Sequence, residues 1–181
     1  MRKNTKWSRQ TLGLMLICLV LQTVRWIFPG LAHTVPFRII YDSLINLILI
    51  LTAWTVGLRG GLVLSAFVAL LSYLTGGMLL IRVAPLVAMG HGLLVLTVWA
   101  LQKFKPYGVV VGAAIKFVFL YYMVGMWRLP VLAAKGLMTD AAAGAIVADM
   151  GILQFAAALI GGMAAMLIAW RWRRGGREGK V

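Results

Sequence analysis

Lys116 stands in the middle of "GAAIKFVFLYYMV", residues 112–124, an otherwise apolar run. Other polar side chains are placed in the same way. In "RIIYDSLIN", Arg38, Asp42 and Asn46 recur at i, i+4 and i+8 and so share one helix face. At that spacing Arg38 and Asp42 can pair locally. His91 sits in "PLVAMGHGLLVL" and Gln154 in "GILQFAAALIGGM". An ammonium, two primary amides and an imidazole make a cationic, hydrogen-bonding set suited to holding a ligand. They do not make a catalytic set. The chain has no H-E-x-x-H, no C-x-x-C, no rhomboid-like Ser–His pair and no acidic cluster for a metal, so neither enzyme activity nor a cofactor is expected. Two histidines and one cysteine are too few for a zinc site by themselves. No Walker motif is present, so the chain does not itself use ATP.

The elements that carry these residues follow from composition. The chain has 181 residues, 62% hydrophobic and only 12% charged, against about 45–50% and about 25% in an ordinary soluble domain. The apolar residues come in long blocks, 11–28, 39–57, 61–81, 83–101, 107–127 and 141–170. A bilayer core of about 30 Å needs roughly 20 apolar residues in a helix, and a lipid-facing backbone must satisfy its own hydrogen bonds. The expected fold is an all-α integral membrane protein, a compact bundle of about six transmembrane helices forming one domain. The spans are expected at about 11–28, 39–57, 61–78, 83–101, 107–127 and 150–170. The third is the weakest, because "SYLTGGM" interrupts it. The stretch 128–149 is Ala-rich, and is either a helix over the outer mouth or part of an extended last span.

The net charge of +14 sits where a membrane protein needs it. Arg2, Lys3, Lys6 and Arg9 precede the first block; Arg171, Arg173, Arg174, Arg177 and Lys180 follow the last. With Arg59, Lys103 and Lys105, twelve of the 18 basic residues fall on one side of a six-span arrangement. By the positive-inside rule that side, with both termini, is cytoplasmic. The charge therefore argues for a multi-pass protein of a prokaryotic plasma membrane, in contact with the lipid bilayer and its anionic headgroups, and against nucleic acid as a partner. The start resembles a signal peptide but lacks a small-x-small cleavage site, so it reads as an uncleaved first span. Cys18 is alone and forms no internal disulfide.

Depth gives the functional clue. Asn46 lies roughly 10–12 Å in from the outer end of its span; His91, Gln154, Gln22 and Arg25 also fall in the outer half, and Lys116 is near the midplane. The inner half holds almost no polar side chains. A lysine at the helix centre costs about 2.5–3.5 kcal/mol on insertion scales and must find a partner. Gly108 and Gly112 stack on its face, and Ala157, Gly161 and Ala165 repeat the device in the last span, so neighbouring helices can approach closely. Simpler roles stand beside the functional one. Lys116 can pair with Asp42 or Asp149; His91 can be a satisfied core histidine; Asn46 and Gln154 can be interhelical glue.

The stretches "DSLINLILILTAWTVGLRGGLVLSAFVALLS", "APLVAMGHGLLVL", "AAIKFVFLYYMV" and "GILQFAAALIGGMAAML" cover well over half the chain. In this order they resemble the small substrate-binding (S) components of energy-coupling factor (ECF) transporters, closest to a branch of unassigned substrate. The resemblance implies a six-helix membrane protein with an outward-facing pocket for a vitamin or related micronutrient. It also implies a transmembrane T component and two ATPase subunits as partners in trans. On this analogy Lys116, Asn46, His91 and Gln154 fall where pocket residues are expected. Two departures stand out. The first span carries "TLGLMLICLV" instead of the family's Ala-x-x-x-Ala docking patch, and His91 stands where asparagine is expected.

The sequence thus points to a substrate-capture protein. Lys116 would form the floor of its pocket, Asn46, His91 and Gln154 would orient the ligand, and Asp42 would join them. Arg38 and Arg82 would line the mouth, and the 29–37 and 75–83 loops would close over it. The alternative is a small multispan structural scaffold, similar to the rod-shape protein MreD, with no ligand.

Overall fold

The computed structural model describes residues 2–28, 34–75 and 81–178. Among them there is no β-strand. The helices are α1 (Arg2–Ile27), α2 (Val35–Thr55), α3 (Leu58–Leu74), α4 (Ala84–Ala100), α5 (Lys105–Leu120), α6 (Leu129–Ala134), α7 (Asp140–Ala148) and α8 (Gln154–Glu178). Three stretches are long and apolar enough to cross a membrane: Val35–Thr55, Gln102–Ala134 and Met150–Trp172. Gln10–Val24, Leu58–Leu74 and Ala84–Ala100 are apolar but shorter. At 1.5 Å per residue, α3 and α4 with 17 residues each rise about 26 Å, a few ångströms short of a hydrocarbon core.

Local chemistry sets the boundaries. Prolines stand in the first turn of α2, α4, α5 and α6, where an N–H would lack an intrahelical partner anyway. Gly57, at φ +99°, turns the chain directly from α2 into α3, a conformation that side chains disfavour. Beyond α5 the helix widens to i→i+5 turns over Tyr121–Arg128 before α6. A second wide segment, Asp149–Leu153, joins α7 to α8, with the helix broken at Gly151 (φ −87°, ψ −124°). The Ala-rich stretch is therefore neither one overlying helix nor a plain extension of the last span. It folds as the pair α6 and α7, and α7 packs back on the wide turns of 121–128.

α2 packs chiefly on α8, α3 on α4, α4 on α5, and α1 on α3. One buried cluster centres on Leu49, Ile50, Leu64, Leu94 and Val98; a second, around Val83, Val87, Leu120, Val124 and Leu129, lies toward α6 and α7. Outside them Leu16, Val63, Leu70, Leu96, Val110 and Leu167 are exposed. So much large apolar surface is foreign to a soluble monomer and ordinary for one facing lipid.

At the α2–α8 seam the two backbones approach closely. A Cβ on Gly161 would fall on the Ser43 carbonyl oxygen and 2.8 Å from the Leu47 nitrogen. Ala157, Ala158 and Ala165 beside it are fully buried. Gly161→Val is expected to wedge α8 off α2 and to lower stability by about 1–3 kcal/mol. Gly13→Ala, where the added Cβ meets nothing within 4 Å, is expected to be neutral or slightly stabilising. Thermal unfolding of the two variants in detergent compares them; equal midpoints would contradict the packing assigned to this seam.

Candidate functional site

The α2 ladder faces inward. Arg38, Asp42 and Asn46 line one partly enclosed cavity together with His91 of α4 and Gln154 at the start of α8. The apolar wall is Ile45, Val68, Val87 and Leu120, with Met150 and Leu153 from the second wide-turn segment. Wide turns of this kind are rare and cluster at functional sites; here they let residues on either side of a helix break reach one cavity. Its volume is about 90 Å³, against roughly 10–15 Å³ for a single buried water. That is room for several waters or one compact polar group.

Lys116 does not line this cavity. It stands behind Asn46 with no exposed surface, the largest of the fully buried side chains. Its Nζ donates to Asn46 Oδ1 at 2.8 Å. Asn46 Nδ2 in turn donates to the main-chain oxygen of Asp42 at 2.7 Å. Gln154 Nε2 donates to Asp42 Oδ2 at 2.8 Å. A continuous polar path thus runs from α5 through α2 to α8. Two of its bonds involve an ionisable group and are the stronger for it. The hydrogen-bond acceptor of Lys116 is the Asn46 amide, and the Asp42 carboxylate lies near enough to act on the ammonium by charge; the Asp149 side chain lies outside the described residues. His91 is only 7% exposed, and its Nδ1 is buried without a hydrogen-bond partner. Most buried polar atoms do have partners, so this nitrogen is not a satisfied core group.

Arg82 is not brought to the cavity. It is exposed on the short 3₁₀ turn Ile81–Val83 ahead of α4. Of the two loops expected to close the site, 29–37 and 75–83, residues 29–33 and 76–80 lie outside the described residues. So do the side chains of Arg25, of Arg2, Lys3, Lys6 and Arg9, and of the basic residues from Arg173 onward.

Sequence reasoning missed Tyr41 and Ser72, both on the cavity wall. Ser72 is braced from α1. Gln22, fully buried, donates from Nε2 to Ser72 Oγ at 2.7 Å and accepts from Thr75 Oγ1 at 3.1 Å. Ser43, Thr52, Ser65 and Thr97 instead donate to the carbonyl four residues back in their own helices. The available signal was the Ser72–Thr75 spacing on one helix face, matched by a glutamine in the first apolar block.

Chemically the cavity offers an imidazole, amides, two hydroxyls, a carboxylate and a guanidinium among its lining residues, with a buried cation beneath. It can orient and desolvate a compact polar ligand. Comparison of the chain with protein-family models, with curated proteins and with solved structures finds no match.

The Lys116–Asn46 bond makes a sharp expectation. Asn46→Leu leaves a buried ammonium without its acceptor and should cost about 3 kcal/mol. Adding Lys116→Met to Asn46→Leu removes the stranded charge and should recover most of that loss. Denaturation of the two single variants and the double variant forms the cycle. Strictly additive losses would mean that the bond is not formed in solution.

Proposed function

We infer that the chain is a six-span protein of a prokaryotic plasma membrane that captures a compact micronutrient in an outward-facing pocket, as the substrate-binding component of an ECF-type importer. Both termini are cytoplasmic. A T component and two ATPase subunits supply the coupling and the energy; the chain itself is not an enzyme. One observation carries the reading. Residues singled out on three separate helices converge on a single cavity, and the lysine of a fourth helix is bonded to its wall. The cavity lies toward the start of α2, α4 and α8 and the end of α3 and α5, away from the basic connection at Lys103 and Lys105. Positive-inside then makes the cavity end external. The three shorter apolar helices complete a six-span bundle where the bilayer is thin or their ends lie in the headgroup region.

The roles follow from position. Asn46, His91, Gln154 and Ser72 orient the ligand by hydrogen bonds, and Arg38 and Asp42 meet its charged or strongly polar groups. Lys116 acts through Asn46, whose amide it holds in one orientation, and gives the cavity a positive floor. With about 90 Å³ available, the part of the ligand held is a single compact group; a larger vitamin would widen the site. A second reading is favoured by the same bonds. Asn46, Gln154 and Gln22 each tie two helices together, as packing glue would in a ligand-free scaffold of the MreD kind.

A thermal-shift screen of the purified protein against water-soluble vitamins, their precursors and nucleobases separates the two. A ligand at a hundredfold excess over its Kd stabilises the folded state by about 2.7 kcal/mol. One compound is expected to raise the midpoint, with the shift lost in Gln154→Ala and in Lys116→Ala. A well-folded sample that no compound stabilises would favour the scaffold.

A further inference from the structure

The polar groups around the cavity are not equally available to a ligand. Asn46 has no exposed surface, and both ends of its amide are bonded. Arg38 and Asp42 bring one charge of each sign. Two groups remain open. His91 is buried but lines the cavity. Its Nδ1 has neither exposed surface nor a partner, whereas Nε2 keeps exposed surface and is bonded to nothing among the described residues. Buried N–H groups are left orphaned more rarely than buried acceptors. A neutral His91 ring therefore carries its proton on Nε2 and offers the cavity a donor. Gln154 offers the opposite. A carboxylate only accepts, so the bond to Asp42 Oδ2 at 2.8 Å fixes which end of the Gln154 amide is the NH2. That leaves Oε1 as an acceptor with exposed surface and no donor among the described residues. α4 packs on α3 and α5, and α8 on α2 and α5, so donor and acceptor reach the cavity from different walls. Val68, Val87, Leu120 and Leu153 make the lining apolar elsewhere.

We propose that the captured molecule is a neutral lactam or carboxamide, its carbonyl accepting from His91 Nε2, its N–H donating to Gln154 Oε1, and its apolar body against Val87, Leu120 and Leu153. Hydrogen-bond matching selects this class. A carboxylate has no hydrogen to give Gln154 and would set a second anion beside Asp42. An ammonium has no acceptor for His91 and would enter beside Arg38, above the buried Lys116. A ketone satisfies His91 alone. Leaving a buried group unmatched costs more than a made bond returns, so each mismatch is penalised. An amide is also a single compact polar group of the kind that about 90 Å³ admits. The inference rests on the capture reading above and narrows it to a substrate class.

Small rings of nearly equal size test the match without any substitution. They are 2-pyrrolidinone, the lactam; cyclopentanone, which keeps the carbonyl and lacks the N–H; pyrrolidine, a cation without the carbonyl; and cyclobutanecarboxylate, an anion. Saturation-transfer NMR of each with the full chain in lipid nanodiscs, against empty nanodiscs, gives the dissociation constants. The lactam is expected to bind, and the other rings to bind about tenfold more weakly or not at all, since each leaves a buried partner unmatched. His91→Leu should weaken lactam binding by a similar factor. His91→Gln, which restores an amide N–H, should keep most of it, with thermal midpoints confirming that both variants fold. Another ring binding as tightly as the lactam, or lactam binding unchanged in His91→Leu, would overturn the proposal and leave capture standing. Binding of none of the rings would overturn it too. The vitamin screen then decides separately on capture: a stabilising compound without an amide rejects only the present inference, and the lack of any stabilising compound rejects the capture reading itself.

Discussion

An ammonium with no exposed surface must find an acceptor, and the one Lys116 finds, Asn46 Oδ1 at 2.8 Å, belongs to another helix. Stranding such a group would cost several kcal/mol, so the bond fixes more than itself. It sets the rotation of α5 against α2, and it orients the Asn46 amide, whose other end is held by the Asp42 carbonyl one turn back. With the amide fixed, the ladder of Arg38, Asp42 and Asn46 presents a single face, and Gln154 completes it from α8 by binding Asp42. The contact at Gly161 lets α8 come near enough to do so. The cavity is what remains between these constrained surfaces and the two apolar clusters.

Polar chemistry is divided between the two ends of the bundle. One end carries the cavity, where hydrogen-bonding groups face each other across a small volume and His91 keeps an unmatched nitrogen. The other carries lysine and tryptophan at the helix ends, the residues that favour the boundary between hydrocarbon and water. Between them the described interior is mostly apolar, and hydroxyls such as those of Thr52 and Ser65 are satisfied within their own helices.

Much of this was legible in the sequence because it depends on helical spacing and on the cost of burying charge. The i, i+4, i+8 placement of Arg38, Asp42 and Asn46 dictated a shared face whatever the tertiary structure. A lysine inside an apolar run required a buried partner, and glycines and alanines at fourfold spacing marked the tight seams. The apolar blocks gave the helices, three of them long enough to cross a membrane. What was not legible depended on helix rotation and on breaks. Ser72 looks like any serine in an apolar helix until Gln22 arrives from α1. Arg82 lies near the cavity residues in sequence, but its short 3₁₀ turn leaves it exposed. The wide turns that bring Met150 and Leu153 to the cavity have no signature beyond Gly151 and a run of small residues. For the same reason Lys116 was expected to touch the ligand, whereas it stands one layer behind, bonded to the residue that faces the cavity.

The central claim is that the surface built on Lys116 and Asn46 holds a small polar molecule. The most direct measurement is mass spectrometry of the small molecules released on denaturing the protein, after gentle purification from membranes of cells that make it. The Asn46→Leu, Lys116→Met double variant, with its stranded charge removed, is treated in parallel. The account predicts one compound, near stoichiometric with the wild-type chain and absent from the folded double variant. No compound with the wild type, or the same compound at the same level with both proteins, would contradict it.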